Sequence, residues 1–286
     1  MPELPEVETI RRQLDAALPG RRIAELFVVA PKSFEASALL GAASARGRRI
    51  EAVRRRGKAL IIDLDEGLSI VVHLKMTGQL IYVPATSSAP TSSHTRATIR
   101  FDDHSTLLFN DMRRFGRVLL CMTDEVNKIP LLARMGPEPL DAGFSAEVLE
   151  ARLARHPGLA IKAALLDQSV VAGLGNIYVD EVLFEARVHP LTKVADLRPA
   201  DIDAIRRAIP ERLARSVELG GSTLRDYVDA TGSRGGYLDE ALVFNRSGQP
   251  CPVCAQPLVK IRVAGRGTHL CKHCQPLRQS SERSKP

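Results

Sequence analysis

Four cysteines near the C-terminus constrain this chain more than any other feature. They read Cys251-Pro-Val-Cys254, then sixteen residues, then Cys271-Lys-His-Cys274. Two C-x-x-C knuckles at this separation fit one tetrahedral zinc held by four thiolates. Four thiolates leave no open coordination position, so the expected Zn2+ is structural and does no chemistry. Unrelated free cysteines are the competing reading; His273 is a rival ligand, but the four sulfurs already close the shell. Between the knuckles, Leu258–Val263 and Thr268–Leu270 flank Ala264-Gly265 and read as a β-hairpin. Arg262, Arg266 and Lys272 there suit phosphate, yet zinc ribbons also bind proteins, and the spacing does not choose. The fifth cysteine, Cys121, lies in an apolar run and is expected in the core.

The 286 residues suffice for two or three domains. A formal charge of +7 suits a polyanionic partner without requiring one. The N-terminus is acidic and lacks a basic-then-apolar leader. No apolar run reaches the ~18 residues of a membrane helix. The expectation is a cytoplasmic protein whose cysteines bind metal and form no disulfides.

Along the chain, Val7, Ile10, Leu14 and Leu18 share one helical face, ended by Pro19-Gly20, with Glu6 and Glu8 in the dipole-favoured first turn. Seven short aliphatic or β-branched runs follow: Ile23–Val29, Arg48–Val53, Ala59–Leu64, Ser69–Leu74, Ala97–Phe101, Thr106–Phe109 and Val118–Met122. Antiparallel strands at this spacing predict a sandwich or flattened barrel. Pro84–Ser93 reads as a solvated loop and Gly136-Pro-Glu-Pro139 as a linker. Helical patterns then cover Ala146–Arg155, Ile161–Asp167, Ile177–Glu185 and Ile202–Leu219, the last expected to kink or split at Pro210. A Gly- and Ser-rich stretch spans residues 221–240, the cysteine module about 245–275, and a polar, basic tail ends the chain.

Met1 precedes a small residue and is expected to be removed, leaving Pro2 a free secondary amine. An α-amine titrates near ~7.7–8.0, so a useful fraction is neutral and nucleophilic at neutral pH. Attack on a sugar C1′ gives an iminium ion, an electron sink that acidifies the C2′ proton. Glu3 and Glu6 are placed for acid–base work. The simpler reading is that Pro2 and Glu3 merely start a helix.

The opening Pro2-Glu-Leu-Pro-Glu-Val-Glu-Thr9 resembles the N-terminus of bacterial formamidopyrimidine-DNA glycosylases, the 8-oxoguanine DNA glycosylases. Arg56-Gly-Lys58, His73-Leu-Lys-Met-Thr-Gly78, Asp111-Met-Arg-Arg-Phe-Gly116, Gly175-Asn-Ile-Tyr-Val-Asp-Glu181 and the Cys₄ finger follow in that family's order, across essentially the whole chain. The resemblance implies an α+β protein: an N-terminal β-sandwich with a leading helix over 1–133, a helix–two-turns–helix DNA-binding domain with a lesion-capping loop over 140–240, and a zinc finger with its tail over 241–286. It implies a glycosylase and abasic-site lyase acting on double-stranded DNA with oxidised purines, through a Pro2 Schiff base and β,δ-elimination. No redox or nucleotide cofactor is expected, since Gly173-x-Gly175 lacks a βαβ context. A monomer is the default.

By the same resemblance Glu3 is the acid–base partner, and Lys58, otherwise a solvated edge charge, is an active-site base or phosphate ligand. Met76, Arg113 and Phe115 fill the gap left by a flipped base; taken alone, Met76 and Phe115 would be core. His73, His94 and Asn176 contact phosphate, where blander roles are structural or, for Asn176, an N-cap. Glu6 joins the DNA-contacting set, and Arg266 grips phosphate and serves δ-elimination. The Gly221–Gly236 loop offers backbone amides to the base, with Thr223 and Tyr227 as weaker candidates. Arg155-His-Pro-Gly158 departs from the family's denser basic run, which puts a phosphate contact there in doubt. The rivals are an endonuclease VIII-type enzyme for oxidised pyrimidines, against which Leu4 and the Met76/Arg113/Phe115 set count, and a non-catalytic DNA-binding zinc protein, against which Pro2, Glu3 and Lys58 count.

Overall fold

The computed structural model describes residues 2–37, 40–87 and 92–277. Met1, part of the Pro84–Ser93 loop and the tail beyond Leu277 lie outside them. The chain forms two compact units, one of residues 2–133 and 216–237, the other of residues 134–215 and 238–277 among those described.

The first unit begins with α1 (Leu4–Ala17). Leu4, Val7, Ile10 and Leu14 have no exposed surface, as their shared face requires. Burying each contributes roughly 1.5–3 kcal/mol before entropy is counted. Nine strands follow: β1 (Ile23–Val28), β2 (Phe34–Ala36), β3 (Ile50–Arg56), β4 (Ala59–Leu64), β5 (Leu68–His73), β6 (Gly78–Val83), β7 (Thr95–Phe101), β8 (Thr106–Asp111) and β9 (Arg117–Met122). They make two sheets, ordered β1-β7-β8-β6 and β2-β9-β5-β4-β3. Leu60, Ile62, Ile70 and Val72 of one sheet meet Leu80, Ile99, Leu107 and Phe109 of the other, and the α1 face joins the same core. The sandwich agrees with the sequence expectation. α2 (Pro130–Ala133) closes this part of the unit.

Two strands went unread in the sequence. Phe34–Ala36 is too short to show a period, and it pairs with β9 in parallel, against the all-antiparallel expectation. Gly78–Val83 opens on Gly-Gln; it is an edge strand whose Tyr82 N–H donates to the Ala230 carbonyl at 2.8 Å. Cys121 is buried as expected, and burial pushes its thiol up to about 11.

The second unit carries α3 (Ala146–Leu153), α4 (Ile161–Leu166), α5 (Asn176–Glu185), most of α6 (Pro199–Glu218) and a hairpin, β10 (Val259–Val263) and β11 (Arg266–Leu270). The α6 helix runs unbroken through Pro210, so the expected split does not occur. A proline costs one hydrogen bond and a ring clash. Ile202, Ile205, Ile209, Leu213 and Val217 recur along one buried stripe, and their packing outweighs that cost. Among the described residues, no helix is long and apolar enough to cross a membrane.

Candidate active site and nucleic-acid contacts

Glu3 is the N-cap of α1, with extended backbone, and Glu6 is the third helical residue. The Glu3 N–H donates to Glu6 Oε2 at 2.7 Å, a reciprocal-capping geometry that satisfies one of the helix's orphan donors. Pro2 is buried, Glu3 is 3% exposed and Glu6 is 1% exposed. The Glu6 side chain, expected among the DNA contacts, turns inward in this structure. Its Oε1 accepts the Ser222 N–H at 2.7 Å, so one carboxylate ties the start of α1 to the root of the Gly-rich loop. The Tyr227 hydroxyl donates to the same region, within 3.3 Å of the Glu6 carbonyl and 3.1 Å of the Gly220 carbonyl.

Lys58 follows Gly57 in the turn between β3 and β4, where Gly57 takes φ +54°. It is 6% exposed, which rules out a solvated edge charge. A chain of contacts sets its place. Arg55 Nε donates to Glu8 Oε2 at 3.0 Å and Arg55 Nη1 to the Gly57 carbonyl at 3.0 Å, tying the first turns of α1 to the Lys58 turn. Glu8 also receives Arg11 and Arg12. Burial would raise its pKa, but hydrogen bonds from Arg11, Arg55 and Arg12 outweigh it and hold the carboxyl below its usual range.

Ala59 pairs with His73 across β4 and β5. Burial, then the charges of Lys75 and Lys58, lower the His73 pKa to about 3. The Lys75 N–H donates to its Nδ1 at 3.0 Å, leaving Nε2 as the proton-bearing nitrogen. A neutral imidazole donor of this kind can meet a phosphate oxygen without titrating near neutrality.

Met76 and Phe115 are 36% and 48% exposed, so neither is core. The Arg113 guanidinium lies 4.7 Å from the Phe115 ring centroid, stacked over it. Two apolar side chains and a donor-only side chain thus stand at the surface. His94 is exposed, and with Ser92, Arg225 and Arg234 it borders an open cleft of about 370 Å³. The loop of residues 221–236 is closed by the Ser222–Gly236 bridge and by Thr223, whose hydroxyl accepts the Gly235 N–H at 2.8 Å and donates to the Tyr227 carbonyl at 3.0 Å. Gln13 of α1 grips the same loop at Asp229 and Ala230, both at 2.8 Å.

In the second unit Asn176 is the first residue of α5, and Gly175 is the N-cap, so the capping role expected of Asn176 is not its own. Its Nδ2 donates to the Gly267 carbonyl at 3.0 Å, next to the exposed Arg266. Residues the sequence reading passed over hold this arrangement. Lys162 and Asp180, both fully buried, pair at 2.6 Å. Lys162 Nζ also reaches the Gly267 carbonyl at 3.2 Å, and Asp180 Oδ2 accepts the His269 N–H at 2.8 Å. Glu181 accepts three backbone N–H groups, from Leu242, Val243 and Phe244, while burial raises its pKa. A lysine near the start of one helix and carboxylates inside another carry no local signal; only their shared burial does.

The hairpin's two-residue turn, Ala264-Gly265, has φ +49° and +74°, the left-handed pair a tight hairpin needs. The sulfurs of Cys251, Cys254, Cys271 and Cys274 all lie within 4.8 Å of one another, with Cys251–Cys274 at 3.8 Å and Cys254–Cys271 at 3.5 Å. A Zn–S tetrahedron with bonds of ~2.3 Å has edges of ~3.8 Å, so the donor set fits zinc. His273 is exposed on the knuckle, and the four sulfurs cluster without it.

Three family models match the chain. Residues 1–118 match the formamidopyrimidine-DNA glycosylase N-terminal domain, residues 135–228 the H2TH domain of the same enzymes, and residues 248–277 a zinc finger found in FPG and IleRS. The chain is 45% identical over 276 residues to the formamidopyrimidine-DNA glycosylase of Exiguobacterium sibiricum, covering 96% of this chain and 99% of that one. It is similar to the crystal structure of the MutM (FPG) protein from Thermus thermophilus, with TM-score 0.86 and 41% identity over 97% of this chain and 100% of that one. A Lactococcus lactis FPG mutant in complex with a Fapy-dG containing DNA gives TM-score 0.87 and 36% identity over 96% and 100%.

Proposed function

Because the chain belongs to the formamidopyrimidine-DNA glycosylase family, we propose that it excises oxidised purines, 8-oxoguanine and formamidopyrimidines, from double-stranded DNA and then cuts the strand. The observation that carries this reading is the built N-terminus: Glu3 capped by Glu6, with the Glu8–Arg55–Gly57 contacts tying α1 to the Lys58 turn. The Lactococcus lactis relative's complex with Fapy-dG DNA supports the substrate class.

With Met1 removed, the Pro2 nitrogen attacks C1′ of the damaged nucleoside, and the C1′–base bond breaks as the purine leaves with its electron pair. Glu3 protonates the sugar ring oxygen as the ring opens, giving a Pro2 iminium. Loss of a C2′ proton expels the 3′ phosphate; a second elimination expels the 5′ phosphate. Lys58 assists proton removal and holds a flanking phosphate, and Arg266 serves the second elimination. His73, His94 and Asn176 hold phosphates; Met76 and Phe115 fill the vacated stack while Arg113 donates to the orphan cytosine. The four cysteines hold one Zn2+, which fixes the hairpin bearing Arg266. The enzyme acts as a cytoplasmic monomer.

Borohydride should trap the protein on duplexes with 8-oxoguanine opposite cytosine. Pro2→Gly should abolish most trapping, and Glu3→Gln should suppress excision far more than binding. A trapped adduct that maps by peptide mass analysis to a segment without residue 2 would place the covalent bond elsewhere; a preference for thymine glycol would make the substrate an oxidised pyrimidine.

A further inference from the structure

The three stack-filling side chains sit on two separate loops of the first unit. Met76 is in the segment joining β5 to β6, Arg113 and Phe115 in the segment joining β8 to β9. One buried carboxylate joins the two segments. Asp111 is 1% exposed. Its Oδ1 accepts the Thr77 hydroxyl at 2.5 Å and the Arg113 N–H at 3.2 Å; its Oδ2 accepts the Gly116 N–H at 2.7 Å. The Thr77 hydroxyl in turn accepts the Arg113 N–H at 3.1 Å. The Asp111 backbone is held as well: its N–H donates to the His94 carbonyl at 2.8 Å, and its carbonyl accepts Arg96 Nε at 2.8 Å.

Two glycines show how tight the joint is. A side chain at Gly116 would come within 2.5 Å of the Phe109 ring and 3.1 Å of Asp111 Oδ2, and one at Gly78 within 2.4 Å of the Leu74 carbonyl. Thr77, Arg113 and Gly116 each donate to the Asp111 carboxylate, so its lone pairs are used on both loops at once.

We infer that Thr77 and Asp111 are positioning residues that make Met76, Arg113 and Phe115 a single preformed wedge. Neither touches DNA in this assignment. A hydroxyl shared by both loops fixes the height of Met76 relative to Arg113, so the two enter the helix together and the cost of ordering them is met before binding. The inference rests on the stack-filling role proposed above.

The test compares Thr77→Val, which keeps shape and removes the hydroxyl, with Thr77→Ser, which keeps the hydroxyl. Single-turnover excision is measured on 8-oxoguanine opposite cytosine and strand cleavage on a preformed abasic site opposite cytosine. A 2-aminopurine beside the lesion reports insertion. Thr77→Val should excise 8-oxoguanine about tenfold more slowly, the loss of one charge-assisted hydrogen bond. Its 2-aminopurine signal should be delayed to match, and abasic cleavage should stay within about twofold of the parent. Thr77→Ser should behave as the parent. Asp111→Asn should reproduce the Thr77→Val pattern more strongly. Equal excision by Thr77→Val and Thr77→Ser, or an equal fall on both substrates, overturns the inference alone. A parent chain that leaves 8-oxoguanine intact overturns the functional reading and this one with it.

Discussion

Gly221 offers a direct measure of how tightly the Gly-rich loop is bound to the N-terminus proposed to carry the nucleophile. It has φ +86°, and a Cβ there would meet Glu6 Cγ at 3.0 Å, Glu6 Oε1 at 3.1 Å and Tyr227 Cε1 at 3.1 Å. Gly232, in the same loop, has φ +88° but nothing within 4 Å. Both Gly→Ala changes incur the left-handed backbone cost of roughly 1–2 kcal/mol. Only Gly221→Ala adds crowding against buried groups, typically about 1–3 kcal/mol. Gly221→Ala should therefore be less stable than Gly232→Ala by about 1–3 kcal/mol, several degrees in Tm. The clash also pushes the carboxylate that holds the Glu3 N–H, and a displacement near 1 Å at a reacting group lowers rates by up to ~10²-fold. The assay is urea unfolding of both variants together with borohydride trapping on 8-oxoguanine DNA. Equal stability and equal trapping in the two alanines would show that the Glu6 contact does not couple loop and nucleophile.

Two further outcomes follow from the same structure. His73 is neutral when folded, its pKa lowered to about 3, whereas an unfolded histidine binds a proton below ~6.5; acid therefore favours the unfolded state, and stability rises with pH from about 3 to 6.5. Between pH 7 and 5 the parent should lose about 2 kcal/mol more than His73→Gln in urea unfolding, and identical slopes would refute the buried neutral ring. Purified protein should carry one zinc, and Cys251→Ser should reduce DNA affinity by loosening the hairpin that presents Arg266; folded protein without zinc would refute the four-thiolate site.

The sequence alone determined what depends on local spacing. Knuckle separation specified a tetrahedral donor set, a 3.6-residue apolar period specified α1, and short aliphatic or β-branched runs between turn residues specified most strands of the sandwich. Motif order pointed to the family. What it left open were the terms set by distant partners. Pro210 reads as a break, yet a buried stripe of aliphatic side chains keeps α6 whole. Glu6 reads as one more acidic residue in a first turn, and only the fold brings it Ser222, 216 positions away. Lys58, Lys162 and Asp180 look like ordinary surface charges in a string of letters. Burial makes them otherwise, because a charge removed from water must find a partner, and which partner lies nearby is decided by how strands and helices pack, not by the residues beside it.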